Sequence, residues 1–182
     1  MNVIEKLKPL ERESIERGIP ILGSIKGRWL YDKIVELRPR KILELGTANG
    51  YSGIILGSEG GKLLTIEINE KIAYEARKNF KKFNINAEII INNGVEEVKR
   101  LVIEKKEFFD LVFIDFAKKD YIKILEDCIK LVKGNGFIIA DNMSFGECND
   151  YKEAVLRHPK LKTEIIRIGD WLSYSKKILS NK

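Results

Sequence analysis

Three side chains with hard oxygen donors, Asp115, Asp141 and Asn142, close two apolar runs of this 182-residue sequence, FDLVFID at 109–115 and GFIIAD at 136–141. With neither His nor Cys beside them, such donors suit Mg²⁺, Ca²⁺ or Mn²⁺ rather than zinc. Mg²⁺ prefers six ligands and keeps several waters, so three protein oxygens leave room for a substrate that offers two neighbouring oxygens. Spacing alone equally admits a blander arrangement, in which Asp115 orients a cofactor while Asp141 and Asn142 cap the loop that follows. Lys118 lies three residues after Asp115. A lysine near a cation can lose its proton more readily and a metal-bound hydroxyl is acidified, which makes proton transfer between them feasible. Taken by itself in a lysine-rich chain, Lys118 reads as a surface residue.

A second group gathers near the first such run. Glu44-Leu-Gly46-Thr-Ala-Asn-Gly50-Tyr51-Ser52 follows KILEL at 41–45, and two glycines four apart let the backbone turn sharply and approach a ligand closely where a helix begins. A dinucleotide site would want G-x-G-x-x-G, and Ala48 stands where its second glycine belongs. A smaller nucleoside-bearing ligand fits better, although a glycine turn can also serve helix packing. Glu67 ends the next run, KLLTIEI at 62–68, where an acid can accept hydrogen bonds from both ribose hydroxyls. The alternative is a glutamate facing solvent at a strand end.

These residues need a scaffold that brings strand ends together, and the sequence supplies one. The runs KILEL, KLLTIEI, AEIIIN (87–92), FDLVFID and GFIIAD alternate with stretches of helical spacing, the pattern of βαβ units around a parallel sheet. Nearly continuous apolarity is expected of strands covered on both faces. The runs end on Glu44, Glu67, Asn92 with Asn93, Asp115, and Asp141 with Asn142, each separated by about one βα unit, so these side chains fall at carboxyl ends, where open parallel sheets bind ligands. After Asp141 the pattern changes: LKTEIIRI (161–168) and WLSYSKK (171–177), joined at Gly169-Asp170, predict a closing hairpin with an antiparallel strand. Helices are predicted over residues 3–17 and 27–37, the second ending before Pro39.

The composition is 44% hydrophobic and 33% charged, without any apolar run near the ~20 residues that span a bilayer. No linker or repeat divides the chain, which predicts one domain over 1–182 with residues 1–26 as a short helical extension. The N-terminal pattern does not resemble a secretory signal, and Cys128 and Cys148 form no CxxC pair, so plain thiols and a cytoplasmic location are expected. A net charge of +6 reads first as a solvated lysine and glutamate surface and weakly suggests anionic partners. His158, followed by Pro159, reads as a loop histidine, and Trp171 and Tyr174 as sheet packing.

Taken together, ILELGTANGYS, TIEINEKIAYEARKNF, FDLVFIDFAKKDY and GFIIADN resemble the cofactor, ribose and two metal segments of the caffeoyl-CoA and catechol O-methyltransferase family, from about Gly27 to the last hairpin. The resemblance implies a Rossmann-like class I methyltransferase fold, with a seven-stranded, mostly parallel sheet. It implies that Glu44, Gly46, Gly50, Tyr51 and Ser52 surround the methionine part of S-adenosylmethionine, that Glu67 holds the ribose, and that Asn93 and Gly94 meet the adenine. Asp115, which also borders the cofactor, would join Asp141 and Asn142 as ligands of a divalent cation, with Lys118 as general base. Where the family often has a second acid two residues after its first metal aspartate, this chain has Ala117. The expected reaction is metal-dependent methylation of a small catechol-like or diol hydroxyl. Alternatives are methylation of a hydroxylated tRNA uridine and, from another class, a non-catalytic S-adenosylmethionine-binding protein; a homodimer is compatible with each, and no membrane partner is expected.

Overall fold

The computed structural model describes residues 2–179. Its helices are α1 (Val3–Glu16), α2 (Gly23–Leu37), α3 (Tyr51–Gly57), α4 (Glu70–Lys82), α5 (Gly94–Glu104), α6 (Tyr121–Leu131) and α7 (Asn149–Arg157). The strands are β1 (Lys41–Leu45), β2 (Lys62–Glu67), β3 (Ala87–Ile91), β4 (Phe109–Ile114), β5 (Val132–Asp141), β6 (Leu161–Ile166) and β7 (Leu172–Lys177). They form one sheet in the order β3-β2-β1-β4-β5-β7-β6. The pairs β1–β2, β2–β3 and β4–β5 are parallel, whereas β7 runs antiparallel to both β5 and β6. The expected mostly parallel seven-stranded sheet with a closing hairpin is thus what the chain forms. Among the described residues, no helix is long and apolar enough to cross a membrane.

Two compact units are distinguished, Met1–Asn92 and Asn93–Lys182. In the first, Ile42, Leu43 and Leu45 of β1 are fully buried, and α4 turns Ala73, Ala76 and Phe80 inward at helical spacing. Asn69 starts α4 by accepting the N–H groups of Lys71 and Ile72, and Lys81 and Lys82 face the negative end of the helix dipole. The N-terminal helix is integral to this unit, because Ile4, Leu7 and Leu10 of α1 are buried. α2 begins four residues before the predicted start, at Gly23, where the Glu11 carboxylate accepts the Ser24 N–H at 2.8 Å.

In the second unit, β4 is buried at Leu111, Val112, Phe113 and Ile114. β5 also starts earlier than its apolar run predicts, at Val132, directly after α6. The register against β4 jumps there: Phe109 faces Val132, and Leu111 faces Phe137. The extra residues of Lys133-Gly-Asn-Gly136 form a bulge, and a Cβ at Gly136 would come within 2.9 Å of the Asp110 carbonyl oxygen. At the other end, Trp171 N–H donates to Ile168 O (2.8 Å) across Gly169 and Asp170, which makes the predicted tight turn.

Candidate active site

Within the first unit, the segment between β1 and α3 is a run of left-handed turns: Gly46, Ala48 and Gly50 have φ of +98°, +44° and +92°. Ala48 lacks glycine's tolerance for that conformation and holds it because Glu67 pins its amide. The Ala48 N–H donates to Glu67 Oε2 and the Asn69 N–H to Glu67 Oε1, each at 2.9 Å. Glu67 therefore lies against the glycine loop, as its proposed role requires. A carboxylate has about four lone-pair sites, so two backbone donors leave capacity for two ligand hydroxyls.

Glu44 is fully buried, and its position is defined by hydroxyls. Ser52 donates to Oε1 at 2.6 Å and Thr65 to Oε2 at 2.7 Å. Thr65 has only one proton to give, so the 2.6 Å contact with Thr47 runs from the Thr47 hydroxyl to Thr65. This chain, Thr47 to Thr65 to Glu44 from one side and Ser52 to Glu44 from the other, ties the loop to β1, β2 and α3. Gly53 is required beneath it, since a Cβ there would lie 2.7 Å from Phe80 and 2.9 Å from Glu44. The loop is held at its middle as well: Asn49 donates to Ser14 Oγ (2.7 Å), and Asn79 donates to the Asn49 carbonyl (2.9 Å). Tyr51 is buried, and its phenol pKa is pushed up by desolvation and then by the Glu11 carboxylate.

The remaining predicted residues are in the second unit. Asn93 caps α5, accepting from the N–H groups of Val95 (2.9 Å) and Glu96 (3.3 Å). Beside it, Gly94 lets the Phe116 ring pack closely, since a Cβ there would lie 3.2 Å from that ring. Phe116 stacks on Tyr121 (centroids 5.5 Å apart, 17° between planes), and Tyr121 meets Tyr151 edge-on at 5.6 Å.

Asp115 follows β4 and is half-buried, and Asp141, the last residue of β5, is buried. Asn142 adopts φ +65°, is 8% exposed, and carries a buried Oδ1 with no hydrogen-bond partner. Its backbone is firmly placed: the Asn142 carbonyl accepts from Phe145 N–H (3.1 Å), while Met143 N–H and Ser144 N–H donate to Trp171 O and Asp170 O (3.1 and 3.0 Å). Lys152 Nζ donates to the Met143 carbonyl at 2.9 Å. The blander expectation, that the Asn142 side chain caps the following loop, does not describe its oxygen.

Among the described residues no group of three or more His, Cys, Asp or Glu side chains is placed to hold a metal ion, so the candidate set is two carboxylates and an amide. An orphaned amide oxygen beside an aspartate fits a hard cation, since burying such an acceptor without a partner costs about 1–3 kcal/mol. Lys118 opens a short 3-10 turn after Asp115, with its ammonium 5.9 Å from the Phe145 ring centroid. Phe145 itself is 42% exposed. The neighbouring Cys148 thiol is pushed up to about 11, chiefly by burial, with Lys118 acting in the opposite direction.

The sequence reading gave no role to Thr47, Thr65, Ser14, Asn49, Asn79, Tyr121 or Lys152. Thr65 did carry a signal, a hydroxyl in the middle of an apolar strand. The others become visible only through their contacts.

A family model described as O-methyltransferase matches residues 7–178. Catechol O-methyltransferase B of Danio rerio is 35% identical over 146 residues, 74% of this chain and 54% of that protein. Catechol O-methyltransferase of Niastella koreensis is 30% identical over 135 residues, 70% of this chain and 61% of that protein. The chain therefore spans only between half and two-thirds of the length of these two relatives. In fold it is similar to an O-methyltransferase from Bacillus cereus solved in complex with SAH, with a TM-score of 0.81 at 23% identity over 96% of this chain and 90% of that one.

Proposed function

The chain belongs to the O-methyltransferase family, and from that premise we propose that it is a single methyltransferase domain that moves the methyl group of S-adenosylmethionine to a hydroxyl oxygen of a small molecule. The favoured acceptor is a catechol-like diol, whose adjacent oxygens can share one divalent cation. The observation that carries the cation is the buried, unbonded Oδ1 of Asn142 beside Asp141. Asp115, Asp141 and Asn142 would hold Mg²⁺, or Mn²⁺ or Ca²⁺ in its place. Bound there, the ion acidifies and orients a hydroxyl, and the sulfonium supplies an electrophilic methyl.

The chain's own residues do the rest. Glu67 accepts the two ribose hydroxyls on the lone pairs its backbone donors leave, and Gly46 and Gly50 keep the loop's backbone open to the methionine part. Glu44, Tyr51 and Ser52 complete that wall, with the Ser52–Glu44 bond fixing its shape. Asn93 and Gly94 border the adenine, and Asp115 adjoins the cofactor as well as the ion. Lys118, as the neutral amine, would receive the acceptor's proton on Nζ as the oxygen gains the methyl, while the sulfonium's S–CH3 bond breaks and the sulfur leaves as a neutral thioether. Most of the rate enhancement in such a site comes from orientation and charge stabilisation.

The names of the catechol O-methyltransferase relatives support a small hydroxylated acceptor. The basic residues give a tRNA acceptor no comparable support. Many pair with acids one helical turn away, as in Lys8–Glu5, Lys33–Glu36, Lys99–Glu96, Lys123–Asp120 and Lys130–Asp127. The buried, free thiols of Cys128 and Cys148 accord with a cytoplasmic setting.

The test is methyl transfer from labelled S-adenosylmethionine to catechols, aliphatic diols, monohydroxy phenols and unmodified tRNA, with Mg²⁺ present. Label should enter catechols and be far lower in monohydroxy phenols. Equal labelling of phenols and catechols, or labelling of tRNA alone, would overturn the acceptor class proposed.

A further inference from the structure

Two peptide groups follow Asn142, and the donor and acceptor of each are engaged. In the first, the Asn142 carbonyl accepts from Phe145 N–H and Met143 N–H donates to Trp171 O, both at 3.1 Å. In the second, Ser144 N–H donates to Asp170 O at 3.0 Å, and the Met143 carbonyl accepts from Lys152 Nζ at 2.9 Å. Three of these bonds join backbone to backbone, and Lys152 contributes the side-chain donor of the fourth. That ammonium also donates to Asn149 Oδ1 at 3.0 Å, where α7 begins, and lies 5.9 Å from the Trp171 ring centroid, with Arg167 5.4 Å from the same ring. Trp171 has φ +62°, a conformation that a bulky residue rarely adopts. Lys152 thus joins α7, the segment after β5 and the turn before β7 around Met143, which is fully buried.

Asn142 itself is left-handed, and its Oδ1 is buried without a hydrogen-bond partner. No bond to that oxygen fixes it, so the direction in which the side chain leaves the backbone is set by the peptide groups that the four bonds hold. A bond from a charged donor is the strongest of such a set. We propose that Lys152 is a positioning residue for Asn142: by holding the Met143 carbonyl, it keeps the left-handed backbone that presents Oδ1 to the cation. The inference rests on the assignment of Asn142 as a metal ligand. Groups that orient a metal ligand typically change metal affinity 10- to 100-fold when removed. Charge alone predicts the opposite sign, because deleting an ammonium beside the site would lessen its repulsion of a divalent ion.

The experiment is Mn²⁺ binding to the full chain, with no donor or acceptor present, followed below each variant's melting transition by calorimetry and by the electron paramagnetic resonance signal of free Mn²⁺. Lys152→Met keeps an unbranched apolar stem and removes the ammonium, and its Mn²⁺ affinity should fall about 10- to 100-fold. Lys177→Met is the stability control. Lys177 Nζ donates to the Ile129 and Val132 carbonyls at 2.9 Å each, from the end of β7 opposite Leu172, which pairs with Asp141. That variant should melt at a lower temperature and bind Mn²⁺ as tightly as the unaltered chain. Unchanged or raised affinity in Lys152→Met, or an equal fall in both variants, would overturn the role assigned to Lys152 while leaving Asp115, Asp141 and Asn142 as ligands. No Mn²⁺ binding by the unaltered chain would overturn the metal assignment and this inference together.

Discussion

Thr65→Val tests whether the glycine loop is held by the buried hydroxyl chain. Valine matches threonine in shape and suits a strand, so the change removes the hydroxyl with little disturbance of packing. Two hydrogen bonds are lost: the 2.7 Å donation to Glu44 Oε2 and the 2.6 Å contact with Thr47. A bond to a charged group contributes about 1.5–3 kcal/mol and a neutral one about 0.5–1.5, while the extra methyl of valine offsets part of the loss. The net cost should be about 2–4 kcal/mol. At roughly 3 °C per kcal/mol for a chain of this size, the melting temperature should fall about 6–12 °C by calorimetry. Affinity for S-adenosylmethionine, measured below the lowered transition, should weaken as well, because the Ser52 and Glu44 wall loses one of its anchors. A shift under about 2 °C with unchanged affinity would refute the reasoning, since it would mean that Glu44 is held without Thr65.

Two further outcomes follow from the geometry. Glu67→Ala removes both the proposed ribose acceptor and the clamp on the left-handed Ala48, and should weaken S-adenosylmethionine binding by about 1–3 kcal/mol in isothermal titration; unchanged affinity would count against its role. Arg17 holds Glu75 through paired 2.9 Å contacts and keeps that carboxyl below its ordinary value of 4.5. Because the folded-state value is the lower one, the stabilisation is present above the unfolded value and disappears as pH falls through the folded one. In Arg17→Met, the Glu75 carboxyl should titrate at higher pH by carbon NMR, and the stability gap to the unaltered chain should close in acid.

The order of strands and helices was legible because a doubly covered parallel sheet forces long apolar runs, and each run here stops at a polar residue. The closing hairpin was legible from Gly169. What stayed hidden depends on contacts between distant residues. The Lys133-Gly-Asn-Gly136 bulge looks like loop composition, and only its closeness to Asp110 shows that it belongs to the sheet. Glu44 is the penultimate residue of β1 and Glu67 the last of β2, and the first is sealed among hydroxyls while the second lies half-buried against a backbone loop. What each carboxylate meets depends on Ser52 and Ala48, which a strand pattern does not mark, and on Thr65, visible only as a hydroxyl inside an apolar strand. Tyr121 reads as an ordinary aromatic at a helix start, and only the packing of Phe116 and Tyr151 against it shows that it is fully buried.

The central claim, that this chain's chemistry runs through a cation held by Asp115, Asp141 and Asn142, is tested most directly by following methyl transfer to a catechol with and without EDTA. Activity should vanish in the chelator and return with Mg²⁺ or Mn²⁺, because carboxylate and amide oxygens match those hard ions. Asp141→Ala should lose that recovery while binding S-adenosylmethionine with little change, since Glu67 and the glycine loop hold the adenosine and methionine parts. Undiminished turnover in EDTA, or metal-dependent turnover in Asp141→Ala equal to that of the unaltered chain, would contradict the account.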